Sequence, residues 1–503
     1  MPASSSALSE AQRNAVRELL RVSTVAVELG ERFAGAGHAL HLVGGSVRDA
    51  LLGRLGTDLD LTTDARPEQV QALVDGWAEA TWETGIAFGT VGVRKGDLRI
   101  EVTTYRAEAY APDSRNPQVQ YGDDLVGDLV RRDFTVNAMA IALPDWKAPD
   151  AFVDPQGGLD DLAARVLHTP GRPQDSFGDD PLRMLRAARF ASQLGFAVAP
   201  DVVAAMAQMR DRLTIVSVER VQEELSKLVC GAHPRAGLEL LVDTGLAEHV
   251  LPELPSLRLA IDEHHQHKDV YEHTLQVLER AIALEQDGPD LVLRLAALLH
   301  DIGKPRTRHL EPGGGVSFHH HEVVGAKMAE KRLRALRYPK DVVASVARLT
   351  ELHLRFHGYS AGGGARRTAG EGAKGTAGAW TDSAVRRYVT DAGPELQRLH
   401  KLVRSDCTTR NRRRAAALAA AYDSLEARIA DLAQREELER IRPDLDGHAI
   451  MELLGVPGGR VVGEAYQHLL ALRMEHGPLP RERAEAELLA WARERGLPAD
   501  RSD

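Results

Sequence analysis

The sequence predicts an α+β protein, with a small α/β head near its N-terminal end and a long all-helical body behind it. Three observations carry this. Short alternating apolar runs are confined to about residues 38–145, helical periodicity dominates after Ser176, and 503 residues exceed what one hydrophobic core organises. The resulting division is an N-terminal helix in 1–37, a head over 38–145, a helical neck over 146–255, a helical domain over 256–425 and a helical tail over 426–503. Ala361 to Ala379, rich in Gly and Ala with scattered charges, reads as a mobile loop between helices.

Composition narrows the function classes. The chain is 43% apolar and 27% charged, the profile of a soluble globular protein. Aromatic residues make up only 5%, so contact with nucleic acid should run mainly through Arg, Lys and backbone groups. The net charge of −10 supplies no global basic field, so an RNA partner would meet local patches. Arg404 to Arg414 (RSDCTTRNRRR) is the densest of these, and it reads equally as a solvated helix face. Cys230 and Cys407, far apart and outside any CxxC, provide neither a disulfide framework nor a zinc ribbon. Together with an N-terminus lacking an apolar core and apolar runs interrupted by charge, this predicts a cytoplasmic protein with no membrane partner.

Within the head, HLVGGSVRDALLGRLGTDLDLTT is the most informative segment. A strand ending at Leu42 and Val43 runs into Gly44 and Gly45, and a helical pattern starts at once. Paired glycines let backbone approach a phosphate, the helix start offers N–H groups, and Arg48 adds a positive fork. A tight structural turn has the same appearance. Asp58 and Asp60 follow in DLDL; two apart on a strand, they share a face while the leucines point to the core. Such a pair can hold divalent metal or simply form a solvated acidic face.

GGSVRDALLG followed by DLDL resembles the signature of polymerase-β-like nucleotidyltransferases, in the branch of bacterial CCA-adding enzymes and poly(A) polymerases. RRDFTVNAMAIAL (Arg131 to Leu143), FVDPQGGLDDL (Phe152 to Leu162) and DDPLRMLRAARFASQLGF (Asp179 to Phe196) follow in the family's order. The match is close over the first 200 or so residues and looser beyond, and is most similar to the actinobacterial type. The resemblance implies CCA addition to tRNA from CTP and ATP with Mg²⁺. It makes Asp58 and Asp60 the catalytic metal ligands and Gly44, Gly45 and Arg48 triphosphate contacts. Arg132, Asp133 and Asn137 would meet the sugar and phosphates of the incoming nucleotide. Glu101, on one face of RIEVTTYR with Thr103, is a candidate third catalytic carboxylate or an ordinary surface strand residue.

Asp180, Arg183, Arg186 and Arg189 recur every third residue, which on one helix is a slowly rotating polar stripe. Spacing alone suits a solvated face. The family's EDxxR motif, here with Asp179 at its first position, implies instead that Asp180 and Arg183 read the base edge of CTP and ATP, with Arg186 and Arg189 among the nucleotide contacts. A carboxylate accepts from the exocyclic amine that cytosine and adenine share and uracil and guanine lack at that edge.

Further along, His273, His300-Asp301 and Asp406 stand in the order H…HD…D and resemble the HD phosphohydrolase superfamily. That resemblance implies a divalent-metal site, with imidazole and carboxylate ligands suited to Mn²⁺, Ni²⁺ or Co²⁺. His319, His320, His321 and His353 are candidates for extending it to a second metal. The same motifs fit a poly(A) polymerase or an enzyme adding only CC or only A. A nucleotide-signalling HD enzyme or a non-catalytic RNA-binding protein are readings of other classes. Oligomeric state is left open.

Overall fold

The computed structural model describes residues 8–22, 24–54, 56–83, 89–109, 118–122, 124–258, 269–312, 316–356, 380–407, 411–436, 438 and 441–497. The expected loop at 361–379 therefore lies outside the described residues, as does the middle of the basic stretch at 408–410. The chain divides into two compact units, Met1–Val250 and Leu251–Asp503.

The first unit begins with helices Glu10–Val22 and Thr24–Gly35, where a single helix was expected. Its head strands are β1 (Leu40–Val43), β2 (Asp58–Thr63), β3 (Ala80–Trp82), β4 (Thr90–Lys95), β5 (Leu98–Thr104), β6 (Arg106–Ala109), β7 (Gln118–Tyr121), β8 (Ala140–Leu143) and β9 (Phe152–Val153). Seven of them form one sheet in the order β3-β4-β5-β2-β1-β8-β9, while β6 and β7 pair separately. Because β9 completes this sheet, the head continues past the expected limit at 145. Only the β2–β5 pairing in the sheet's centre is parallel, with Asp60 opposite Glu101. Alternation makes the two faces unlike: Leu59, Leu61, Val91, Val93, Ile100 and Val102 are buried on one, and Asp58 and Asp60 stand on the other, where the Asp60 carboxylate is covered by the Gly44 turn.

Helices follow, but not the continuous one expected across Asp179–Phe196. Pro173–Asp179 ends at Asp180, which is extended at φ −140°, ψ 103°, and Leu182–Leu194 starts afresh after Pro181. The proline ring excludes helical geometry for the residue before it, which is why the stripe breaks there. Gly195, at φ +69°, closes the second helix. The strand signal after Ser176 is likewise not quite absent: Ala197–Val198 pairs with Val166–Leu167, and Arg308–Leu310 with Val316–Phe318. Pairs this short leave no readable alternation.

The second unit is helical apart from that ribbon. Helices Val270–Ala283, Leu291–Leu299, His321–Ala335, Lys340–Leu352 and Leu396–Asp406 surround the histidines. The expected boundary at 425 falls inside Arg412–Arg435, a 24-residue helix with no Gly or Pro to end it. Helices Gly447–Leu454, Arg460–His476 and Arg481–Glu494 share a core of Ile450, Leu454, Leu469, Leu488 and Trp491. No described helix is long and apolar enough to cross a membrane.

Candidate functional site

In the first unit the site forms where the β1–helix turn crosses β2. Gly44 has φ +68°, and a Cβ there would lie 2.9 Å from Arg132 Nη1 and 3.6 Å from Asp60 Oδ2. Only glycine brings backbone this close over the carboxylate. Ser46 fastens the turn, its hydroxyl accepting from the Asp60 amide at 2.9 Å and donating to the Asp58 carbonyl at 3.4 Å. Asp60 is held above the ordinary carboxylate range, first by burial and then by the charges of Glu101 and Asp58, against the pull of Arg132 and Arg186. Three carboxylates on one sheet face, close enough for Glu101 and Asp58 to raise Asp60, are chemically suited to a divalent cation shared with substrate phosphates.

Around this face the arginines are sorted. Arg132 donates to Asp128 Oδ2 at 3.2 Å and faces the Gly44 turn. Asp133 is buried and accepts from Asn137 Nδ2 at 2.9 Å and Arg186 Nε at 2.7 Å. Burial alone would raise its pKa, but Arg186 and Asn137 outweigh this and hold the carboxyl well below its ordinary range. Asn137 in turn accepts from Arg48 Nη1 at 2.6 Å. Arg48 therefore differs from the free phosphate fork expected: it is 8% exposed, bound twice by Asp49, and stacked 5.1 Å from the Phe190 centroid. Through Asn137 and Phe190 it links helix Gly45–Leu51 to Leu182–Leu194.

Asp180 and Arg183 flank the joint at Pro181. Asp180 accepts from the Leu182 amide at 3.0 Å and from Arg220 Nη2 at 2.7 Å. Arg183 donates to Ser176 Oγ at 2.9 Å and to the Arg131 carbonyl at 2.6 Å, tying the neck to the head motif. Arg189 is placed elsewhere than expected: it forms a buried ion pair with Glu224 at 3.0 Å and lies 4.2 Å from the Phe190 centroid. Burial and the neighbouring Arg186 lower its pKa to about 10. A helical step of three residues rotates each successive side chain, which carries Arg189 from the site into the core. Ser46, Arg220 and Glu224 were not singled out from the sequence. VERVQEEL shows a charged helix, but no local pattern says that its arginine meets Asp180.

In the second unit the structure brings His273, His300, Asp301 and Asp406 together and adds His321 and His353. His273 Nε2 lies 3.0 Å from Asp406 Oδ1, and His300 Nε2 lies 3.2 Å from Asp301 Oδ2. On the other side of Asp301, Oδ1 is 3.3 Å from His321 Nε2 and 3.9 Å from His353 Nε2. Two three-ligand groups result, His273–His300–Asp406 and Asp301–His321–His353, the latter wholly buried. His319 and His320 do not join: the first turns to Glu311 and the second has an 84% exposed side chain.

The imidazole tautomers follow from the hydrogen bonds. Nδ1 of His300, His321 and His353 each faces a backbone carbonyl three residues earlier, at 2.8, 2.7 and 2.6 Å. A carbonyl only accepts, so each Nδ1 carries the proton and each neutral ring presents an Nε2 lone pair. His300 Nε2, His321 Nε2 and Asp301 Oδ1 are buried without hydrogen-bond partners. Lone pairs aimed at carboxylate oxygens are relieved by a proton or a metal ion between them, and three imidazoles around one carboxylate are a donor set that fits a metal. Burial, the largest cause, lowers His353 to about 4, and Lys304 Nζ contacts Asp301 Oδ2 at 2.5 Å. Among the described residues, groups of three such ligands occur only here. The head offers fewer protein ligands, as is usual for Mg²⁺ shared with substrate phosphates.

Three stretches of the chain match known families. Residues 40–168 match the poly A polymerase head domain, 195–257 the probable RNA and SrmB-binding site of polymerase A, and 270–437 the HD domain. Residues 40–168 are thus similar to the heads of the poly A polymerase class of nucleotidyltransferases, and a stretch similar to the HD domain follows at 270–437. Within that class it is similar to the CCA-adding enzymes. That of Levilactobacillus brevis is 42% identical over 215 residues, 42% of this chain and 52% of the relative. That of Bacillus subtilis is 43% identical over 216 residues, again 52% of the relative. The chain thus spans about half the length of the curated relatives it matches. In three dimensions it is similar to the Bacillus stearothermophilus CCA-adding enzyme in complex with CTP, at TM-score 0.63 and 27% identity, covering 94% of this chain and 98% of that one. A Thermotoga maritima CCA-adding enzyme complexed with tRNA shares the fold at TM-score 0.56 and 17% identity, covering 95% and 98%.

Proposed function

We propose that the protein adds CMP, CMP and AMP in turn to the 3′ end of tRNA in the cytosol, using CTP and ATP and releasing pyrophosphate. The observation that carries this is the Asp58–Asp60–Glu101 face beneath the Gly44–Gly45 turn, in a chain whose curated relatives are CCA-adding enzymes. In each addition the RNA 3′-oxygen bonds to the α-phosphorus as the α–β bond breaks and pyrophosphate leaves. Mg²⁺ held by Asp58 and Asp60 with the substrate phosphates would lower the pKa of the attacking hydroxyl and offset the leaving charge. Glu101 completes the acidic face, and Gly44, Gly45 and Arg132 meet the triphosphate. Asp133, Asn137, Arg48 and Arg186 keep the sugar-side wall and the neck in register. Asp180 and Arg183 select the base by its edge, replacing a nucleic-acid template.

The test is a tRNA lacking its last three nucleotides, given CTP alone, ATP alone or both. CTP alone should add two residues and the mixture three. Homopolymer addition from ATP alone would make the protein a poly(A) polymerase, and addition of CC or A only would make it a partial enzyme.

A second activity is favoured by the six-residue cluster around Asp301. Imidazole and carboxylate donors together suit Mn²⁺, Ni²⁺ or Co²⁺, which would supply an activated water for phosphoester hydrolysis. Lys304 beside Asp301 adds a positive group for a phosphate substrate.

A further inference from the structure

Beside its carboxylates, the head sheet carries a cleft for which the chemistry above has no use. Register sets out the exposed face. Asp60 lies beside Glu101, Glu101 beside Gly92 and Gly92 beside Trp82; in the next row, Asp58 lies beside Arg99 and Arg99 beside Arg94. Directly paired residues share a face, and so do residues two apart on one strand. Trp82, Arg94 and Arg99 therefore stand on the face that bears the acids, opposite the buried Val91, Val93 and Ile100. The Trp82 indole lies flat across Gly92, where a Cβ would come within 1.9 Å of it. Arg99 joins cleft to acids, its guanidinium 5.1 Å from the Trp82 centroid and 3.4 Å from Glu101. Trp82, Arg94, Asp97, Leu98 and Arg99 line a cleft of about 360 Å³.

We infer that this cleft holds the single-stranded 3′ end of the acceptor RNA, with a base against the Trp82–Arg99 pair and backbone phosphate at Arg94 and Arg99. The inference rests on the reading that the acceptor's 3′-hydroxyl is brought to Asp58 and Asp60. Three strand spacings separate Trp82 from Asp60, about 14 Å, so the occupant is the strand just upstream of the reacting nucleotide. Two guanidiniums complement its phosphates. An aromatic–guanidinium platform accepts any base, because every base has a π face, and this suits an end that changes with each addition. Arg99 both lines the cleft and contacts Glu101, so a strand passing from cleft to acids stays on one face of the sheet.

The experiment compares wild type, W82A, W82F and R94A by two measurements: binding of a hairpin RNA with a 3′ overhang against the same hairpin blunt-ended, without nucleotide, and KM for RNA and for CTP. Trp82 and Arg94 project from the exposed face, so circular dichroism should be unchanged, and the two sites test the cleft independently. W82A and R94A should weaken overhang binding and raise the RNA KM by about fivefold to a hundredfold. Blunt hairpin binding and the CTP KM should stay put, and W82F should restore most of the loss. An undiminished overhang preference in both W82A and R94A would overturn the inference. A raised CTP KM with RNA binding unchanged would overturn it too, giving the cleft to the incoming nucleotide. A wild type that prefers the overhang through Trp82 but adds no CMP or AMP would instead sink the proposed activity, while one that adds CCA without need of Trp82 or Arg94 would sink the cleft alone.

Discussion

Asp60 and Glu101 stand directly opposite each other across the parallel strands β2 and β5. After burial, the charge of Glu101 is a principal cause of the raised pKa of Asp60, with Asp58 adding to it. Asp58→Ala and Asp60→Ala should abolish nucleotide addition while leaving the fold intact, because losing one ligand removes several kcal/mol of barrier lowering. Glu101→Ala should slow addition less. The check is CMP incorporation in Mg²⁺ at equal circular dichroism; substantial activity in either aspartate variant refutes the assignment.

Base selection can be separated from triphosphate binding. Asp180→Ala and Arg183→Ala should increase UTP and GTP incorporation relative to CTP more than they raise the KM for CTP. Arg220→Ala should move in the same direction, since Arg220 holds the Asp180 carboxylate at 2.7 Å. Unchanged UTP-to-CTP ratios in all three variants would defeat the idea that protein side chains read the base.

Metal-dependent hydrolysis in the second unit should be independent of addition in the first. With Mn²⁺, Ni²⁺ or Co²⁺ the protein should release phosphate from 2′,3′-cyclic or monoester substrates. His300→Ala and Asp301→Ala should remove this and spare CCA addition. Retained bound metal in both variants, measured by elemental analysis, would contradict the ligand assignment. So would the loss of both activities without unfolding.

The Arg189–Glu224 pair gives a stability prediction. Both side chains are buried, so Glu224→Ala strands a charge and should destabilise the fold by ~3–5 kcal/mol. Replacing both residues by leucine should recover most of that. Chemical denaturation of the three proteins decides it.

Acid stability should depend on Asp133. Its pKa is depressed in the fold, because Arg186 and Asn137 overcome the effect of burial. The unfolded state therefore takes up its proton first as pH falls. The contribution is complete above the ordinary carboxylate value near 4 and is lost on acidification through the folded value. Asp133→Asn should lower Tm at neutral pH and show a shallower decline below about pH 4. An equally steep acid limb in the variant would show that other carboxylates control it.

Much of this site was legible in the chain because its signals are local. The two-residue period of DLDL placed Asp58 and Asp60 on one face, and the paired glycines marked the turn over them. The HD pair likewise found its partners. Illegible features were those set by distant packing: that Arg220 meets Asp180, that Arg48 is consumed by Asp49 and Asn137, and that Arg189 turns to Glu224. His321 and His353 were separable from His319 and His320 only once a helix start and a helix end aimed their rings. The break at Pro181 was different. Its cause stood in the sequence, but the three-residue spacing of charges concealed it.

That break has a mechanical meaning. A carboxylate and a guanidinium on one unbroken helix keep a fixed separation, since changing it costs helical hydrogen bonds. Here Asp180 belongs to the link between two helices and Arg183 to the helix beyond, so the backbone torsions at Asp180 and Pro181, and not helical pitch, set their spacing. If the pair reads the base as proposed, a spacing set by backbone torsions and not by helical pitch would let it meet a one-ring and then a two-ring base.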